Sequence, residues 1–585
     1  MNAPTIVRLF HEILSVYDRS DHLHYRSDGR WNSISTGEFG ETVKLLAAGL
    51  ITIGVRAGAK VGIVSNPSPW WVMTDFAIQL AGGVTVPVFR RISPENLRFE
   101  IDDSAMEAVF IGDEAEFDSV RRSGERLRKI VTIGFTRDDS LSLSFEGLVE
   151  TGRKALQADP ELAGHFADPA PEDIATLIYT SGSTGVPKGV MLTHSSLMFQ
   201  VASASVRFPM DSAKDVALTS LPLSHVFERM VMYYYLSSGV SVWFVDDLAK
   251  IGEMIREVRP TIMTAVPRLL EKVEAKMGEA SREGSALKRL IAGAAMKRAV
   301  RKDPDRFGPN LLDPLFDLLV YRKLRAALGG RFRYVISGAA SLSRETGRFF
   351  VNIGLPLFEG YGMTEASPVI AANFPGSRKL GTVGLPFPGV DVKIGEEDEL
   401  LARGPGVMRG YWNNPAETAK ALDSDGFLHT GDQAKIDARG FITITGRKKE
   451  LMKKSTGEYV PPVPIEQKIG RNPLVEYAVV VAENRRFVSC LIFPDMEEVE
   501  KLRRETPGAP ADAEAFAAGP EVRKNLADHI AEVNRHLHHT EEVQKFRVIV
   551  EPVSVETGEI TPTMKVRRHM IEERFAREIE ELYRE

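Results

Sequence analysis

A chain of 585 residues is too long for one hydrophobic core, which points to two to four domains. Hydrophobic residues at 43% and charged residues at 26% describe a soluble globular protein. The net charge of -6 argues against a general nucleic-acid binder, and the single cysteine, Cys490, leaves no intramolecular disulfide or thiolate metal cluster and fits a reducing compartment.

The opening MNAPTIVRLFHEIL lacks the charged start, apolar core and small-residue cleavage site of a signal peptide. The most apolar stretch, Met230–Val245, is short for a bilayer span, carries a Ser-Ser-Gly break and runs into Asp246-Asp247. It reads as a buried helix turning into a buried strand. The expectation is a cytoplasmic protein, with the inner face of the membrane open to it as a peripheral surface.

In chain order, β-branched runs alternate with helical patterns. KVGIVS (60–65) precedes the Trp70–Leu80 segment, and GVTVPVF (83–89) precedes Pro94–Ile101. Further runs fall at Ala108–Ile111, Lys129–Ile133, Val216–Thr219, Val240–Val245, Thr261–Val266 and Phe332–Ser337. Such alternation predicts parallel sheets built from βαβ units.

Residues 270–328 depart from it with a nearly continuous helical pattern containing Lys288, Arg289, Lys297, Arg298, Arg301 and Lys302. A basic amphipathic helix can lie on an anionic membrane, and it can equally be a solvated helix packed on its own domain. From about Gly381 the chain turns to short strands with frequent Gly and Pro, a small β-rich subdomain. After Gly446–Lys449 come strands at Ala478–Ala482 and Val488–Phe493, a loop or linker at 505–520, and helices around Glu521–Leu537 and Arg567–Tyr583. The fold class expected is α/β: a large N-terminal domain (1–447) of two βαβ-type subdomains plus a small β-barrel-like subdomain, with the helical insert at 270–328. A small mobile α+β C-terminal domain (448–585) completes the chain.

Tyr179–Gly189 reads YTSGSTGVPKG, an apolar run entering a loop of Gly, Ser and Thr closed by Lys188. Gly182 and Gly185 let backbone amides approach a polyphosphate, hydroxyls donate, and the lysine adds positive charge. A Walker A loop needs four residues between its glycines and Ser or Thr after the lysine. Here two residues separate the glycines and Gly189 comes after Lys188, so this is a phosphate loop of another kind.

The loop resembles the signature of the AMP-forming adenylating enzymes, the superfamily of acyl-CoA synthetases, peptide-synthetase adenylation domains and luciferases. Five further segments match in order: LPLSHVFER (221–229), EGYGMTE (359–365), HTGD (429–432), GRKKELMKKSTGEYV (446–460) and GEITPTMKVRR (558–568). The resemblance implies ATP, Mg²⁺ and coenzyme A, the last as co-substrate. It implies that Thr180, Ser181, Gly182, Ser183, Thr184, Gly185 and Lys188 cradle phosphates, and that Gly338 and Glu359, Gly360, Tyr361, Gly362, Met363 and Thr364 wall the nucleotide. Tyr361 would stack on adenine and Thr364 contact the α-phosphate. Glu365 and Thr180 would be the protein ligands to magnesium, a cation that takes few protein oxygens beside phosphate. Asp432 would hold the ribose hydroxyls with Arg447 beside it.

Lys565 would bridge the substrate carboxylate and the ATP phosphates, Lys449 would be the hinge, and Gly457 would border the pantetheine tunnel. His225 is read two ways, as a structural or gating residue between acyl pocket and tunnel, or as a catalytic base. Taken alone, Glu365 would as readily be a helix N-terminal partner and Asp432 a turn residue.

The motif variants favour the long-chain fatty acid branch: LPLSHVFER, the leading Glu359, the helical insert and ETGEITPTMK. Arg90-Arg91 after PVF and Ser341 after SGAA depart from the common pattern. Three other readings stay open. They are the same chemistry on an aryl, medium-chain or polyketide-derived acid, transfer to an acyl carrier protein, and a fatty-acid-binding or membrane-scaffold protein that lost the chemistry. Oligomeric state is not legible.

Overall fold

The alternating runs sort into two large sheets, seen in a computed structural model that describes every residue except 1–2, 182–185, 307–312, 449, 556, 562–565 and 585. The first sheet has eight strands. At its centre Lys60–Val64 pairs in parallel with Val84–Pro87 and Ala108–Ile111. These near-continuous apolar runs are buried on both faces, as parallel strands covered by helices require. Toward one edge, Ile174–Ser181 and Pro187–Thr193 form an antiparallel hairpin that carries the Gly-Ser-Thr segment.

The second sheet has nine strands. Ser241–Phe244, Val216–Thr219, Ile262–Ala265, Tyr334–Ser337 and Leu357–Gly362 run parallel, so Thr219, Ala265, Ser337 and Gly362 end on one rim. In open α/β sheets that rim is where ligands bind. The apolar stretch Met230–Val245 belongs to the helix Val226–Ser237, buried all round, and the buried strand Ser241–Phe244 after it.

That helix is fastened to the first sheet's layer by an enclosed ionic network. Arg229 donates to Asp75 on helix Pro69–Leu80 from Nε (2.9 Å) and a terminal nitrogen (2.6 Å). It also reaches Thr176 Oγ1 at 2.7 Å, and Tyr233 donates to the same carboxylate. Each charged side chain is 1% exposed. Such a pair contributes little net stability over apolar packing, but losing one partner strands a charge in the core.

Asp391–Ile394, Glu399–Arg403, Leu428–Ile436 and Ile442–Arg447 form a four-stranded antiparallel sheet, the small β-rich subdomain. The last three-stranded sheet, Val475–Val481, Val488–Pro494 and Val543–Val548, is covered on both faces. Val480, Cys490 and Ile492 face one helical cluster, while Val479, Val481, Leu491 and Phe493 face the terminal helices, the two-residue alternation of a strand. Residues 505–520 are not wholly a linker. They contain the helix Ala513–Ala517, capped by Asp512, and Phe516 and Ala517 are fully buried. The polar, proline-rich surroundings hid one apolar pair that anchors the segment.

Among the described residues, this last unit makes several polar contacts to the nine-stranded half. Gln467 Nε2 donates to the Ser341 carbonyl (3.0 Å), Arg268 donates to the Val475 carbonyl (3.2 Å), and Arg471 faces Glu345 at 3.6 Å.

Candidate functional site

Three constellations gather sequence-predicted residues. The first is the hairpin after Ile174. Thr180 and Lys188 are cross-strand partners, and Tyr179 anchors the strand by donating to Asp103 at 2.7 Å. Lys188 makes an ion pair with Glu417 and lies 5.3 Å from the centre of the Tyr411 ring. The ammonium groups of Lys188 and Lys420 hold the Glu417 carboxyl down at about 2.

The second is the rim at Leu357–Gly362. The register of this strand shifts between Tyr361 and Gly362, a bulge that re-aims the turn beyond it. A Cβ on Gly362 would sit 1.9 Å from the Pro368 carbonyl oxygen, so only glycine fits. The turn Thr364–Ala366 then presents Glu365, 8% exposed. Its backbone carbonyl accepts from Met408 N (2.8 Å), and Gln200 braces the turn through the carbonyls of Ala366 and Val369, each at 2.9 Å. The Tyr411 hydroxyl donates to Glu365 Oε1 at 2.9 Å. Tyr411 therefore touches both Lys188 and Glu365, joining the first constellation to the second. Burial alone lifts the Glu359 carboxyl to about 8, so this acid is largely neutral at pH 7.

The third is a hydrogen-bonded trio. Asp432, 4% exposed, accepts from the Tyr361 hydroxyl (2.6 Å) on one oxygen and from Arg447 Nε (2.8 Å) on the other. Asp432 and Arg447 are register partners on adjacent strands of the small sheet, while Tyr361 arrives from the large one. Tyr361 ionises only well above its ordinary range, first through burial and then through the adjacent carboxylate.

His225 begins the helix of the motif LPLSHVFER. It caps the helix Val226–Ser237, Nδ1 accepting from Phe227 N at 3.2 Å. The Phe227 ring lies against Gly338, where a Cβ would come within 3.2 Å. Gly457 occupies a left-handed turn (φ +90°) between Met452–Lys453 and Tyr459–Val460, in the C-terminal unit. Gly182, Ser183, Thr184, Gly185, Lys449 and Lys565, with the side chain of Ser181, lie outside the described residues.

Sequence reasoning misses Tyr411 and Glu417. RGYWNNPAET (409–418) reads only as β-rich texture, and its one signal is the turn chemistry around Asn413–Pro415. Arg90 and Arg91 are used internally. Arg90 pairs with Asp113 and Asn66, and the Arg91 backbone N–H donates to Glu116 at 2.9 Å.

Residues 14–412 match the AMP-binding enzyme family, and residues 450–585 match the AMP-binding enzyme C-terminal domain. A long-chain-fatty-acid–CoA ligase, FadD15 of Mycobacterium tuberculosis, is 36% identical over 579 residues, 97% of this chain and 95% of the relative. The peroxisomal long chain acyl-CoA synthetase 6 of Arabidopsis thaliana is 30% identical over 95% of this chain and 82% of its own length. Among solved structures, the A domain of carboxylic acid reductase from Segniliparus rugosus, in complex with AMP and a co-purified carboxylic acid, superposes with a TM-score of 0.76. It is 23% identical, covering 99% of this chain and 94% of that one. The anthranilate CoA ligase AuaEII, in complex with anthranoyl-AMP, gives 0.70 at 18% identity over 97% of each chain. Those likenesses show a shared fold. With family matches over most of its length and a relative aligned over 97% of it, the chain belongs to the AMP-binding enzyme family, as an AMP-forming acid–CoA ligase.

Proposed function

We propose that the acid is a long-chain fatty acid, activated by ATP and transferred to coenzyme A. The observation that carries the nucleotide half is the Tyr361–Asp432–Arg447 trio, a buried carboxylate whose two donors come from different sheets. The long-chain assignment rests on the 36% identity to FadD15 along nearly the whole chain.

In this reading the fatty carboxylate attacks the α-phosphorus of ATP, the bond to the bridging oxygen breaks, and pyrophosphate leaves with that oxygen's electron pair. The coenzyme A thiol then attacks the acyl carbon, its proton is released, and AMP departs with the former carboxylate oxygen. The mixed anhydride is already activated, so no protein nucleophile is required. Catalysis lies in positioning and in placing positive charge where negative charge gathers. Lys188 turns from Glu417 toward phosphate, and Lys565 brings the two anions together. Asp432 accepts from the ribose hydroxyls, exchanging its bond to Tyr361, and Tyr361 is left to lie along the adenine. Thr364 contacts the α-phosphate, and the largely neutral Glu359 adds no repulsion to the base pocket.

The residues fit a magnesium ion. Glu365 has one oxygen engaged by Tyr411 and the other without a protein partner among the described residues, and Thr180 supplies a hydroxyl on the facing hairpin. A bound magnesium ion would neutralise phosphate charge, with Glu365 and Thr180 as its protein ligands. The capping bond of His225 favours its structural or gating reading over a base. We place the division between a large unit (1–447) and a mobile one (448–585) at Lys449, with Gly457 facing the pantetheine tunnel after rotation.

The test is AMP release from ATP and coenzyme A against acids of graded chain length. A maximum at long chains is expected. A maximum on benzoate-like or short acids would sink the assignment, and acyl-AMP formation with transfer only to a carrier protein would replace the acceptor.

A further inference from the structure

Thr180 and Glu365, the two residues suited to ligate magnesium, come from different halves of the molecule. Thr180 lies on the hairpin of the eight-stranded sheet, and Glu365 on the turn Thr364–Ala366 beyond a strand of the nine-stranded one. A three-residue turn does not by itself fix a carboxylate, whose side chain has several rotamers open to it. A metal site needs its ligands held within roughly half an ångström, so something must set Glu365 against the hairpin.

The segment Met408–Trp412 spans that gap. Met408 N donates to the Glu365 carbonyl (2.8 Å), Arg409 N to the Met191 carbonyl (3.0 Å) and Trp412 N to the Gly189 carbonyl (2.7 Å). Tyr411 sits among these ties, paired with Val190 in antiparallel register. Its N–H donates to Thr418 Oγ1 at 2.9 Å, and its carbonyl accepts from Asn414 N at 3.3 Å. Beside it Trp412 Nε1 donates to the carbonyl of Asp103 (3.0 Å), the residue whose carboxylate holds Tyr179. The backbone of Tyr411 thus belongs to the hairpin's sheet, while its hydroxyl crosses to Glu365 Oε1 (2.9 Å).

We propose that Tyr411 is the positioning residue of the metal site, a strut that fixes Glu365 relative to the phosphate hairpin by holding Oε1 and leaving Oε2 for the cation. The inference rests on the reading of Glu365 as a magnesium ligand and adds a residue that acts through it. A hydrogen bond to one oxygen of a ligating carboxylate orients the ligand and tunes its hold on the metal. The ring has a second use, since the Lys188 ammonium lies 5.3 Å from its centre. One side chain therefore serves the cation of the phosphate loop and the anion of the metal site. A tyrosine that only packs, its hydroxyl finding a convenient acceptor, would contribute to stability with no effect specific to metal.

Calorimetric binding of α,β-methylene-ATP, which cannot be split at the bond the reaction breaks, tests it with magnesium and in EDTA. In the parent enzyme magnesium should tighten nucleotide binding. Tyr411→Phe keeps the ring and the strand pairing, so affinity in EDTA and the melting temperature should not move. The ratio of the two affinities should fall by about tenfold or more. The magnesium needed for half-maximal ATP–pyrophosphate exchange should rise by about the same factor, with the KM for the acid unchanged. Glu365→Gln should remove most of the tightening, and adding Tyr411→Phe to it should cost little further. Full tightening in Tyr411→Phe, or equal losses with and without magnesium, overturns the inference, and the magnesium reading stands if Glu365→Gln still loses the tightening. No tightening in the parent, or tightening undiminished in Glu365→Gln, overturns both.

Discussion

Asp432 accepts from two directions at once, from a tyrosine on the large sheet and an arginine on its own. A ribose presents two hydroxyl donors, and the Tyr361 bond is the one a nucleotide would displace. Asp432→Ala should therefore raise the KM for ATP by roughly 10- to 100-fold, the range of a lost charge-assisted hydrogen bond or two. Acid-dependent ATP–pyrophosphate exchange measures this, and an unchanged KM would remove Asp432 from the nucleotide site. HTGD and EGYGMTE make these residues visible in sequence because each is a short contiguous motif on or at the end of a strand. Lys188 is visible for the same reason, but its partner Glu417 lies 229 residues later, and no local pattern announces such a pairing. Tyr411, which touches both Lys188 and Glu365, is hidden by the same separation.

At the scale of elements, LPLSHVFER proves to hold three different jobs on one helix. His225 caps it, Arg229 ties it to Asp75, and Glu228 is enclosed between Thr219 and Thr264 on neighbouring strands, each hydroxyl 2.5 Å away. Burial raises the Glu228 carboxyl to about 7, against two hydroxyl donors that pull it down. With a folded value above the ordinary 4.5, the native state keeps a proton that the unfolded chain releases between about pH 4.5 and 7. Stability therefore falls as pH rises through that window, by up to roughly 3 kcal/mol at pH 8. Glu228→Gln keeps the shape and the hydroxyl partners without the charge. Its melting temperature should exceed the parent's at about pH 8 and converge with it near pH 4.5, as differential scanning calorimetry at both values would reveal. A constant difference across that range would mean Glu228 does not titrate there. The strands are legible because buried parallel strands are continuous apolar runs. The helix Ala513–Ala517 is not, since one buried phenylalanine in a polar stretch leaves no periodicity to read.

For the whole molecule, the two large sheets and the mixed α/β class are legible in the alternation of runs, while the ties that fasten the helical insert to the rest of the chain are not. Those ties run from Asp303 to Arg348 and from the Leu380 N–H to Asp305, partners 45 and 75 residues away. Among the described residues, the last sheet's unit makes polar contacts with the nine-stranded half, the character of an interface that can be exchanged. If that unit alternates between two placements, one bringing Lys565 to the phosphates and another bringing the segment around Gly457, the two half-reactions must depend on different residues. Lys565→Ala should then lower acyl-AMP formation by at least roughly a thousandfold, the scale of a lost electrostatic contact to a developing charge. Thioester formation from supplied acyl-AMP and coenzyme A should stay within a few-fold of the parent, because in that placement the lysine has left. Gly457→Leu should show the opposite pattern, with adenylation kept and transfer to the thiol lost. Single-turnover kinetics on each half-reaction separates the two, and equal losses of both steps in either variant would contradict alternation.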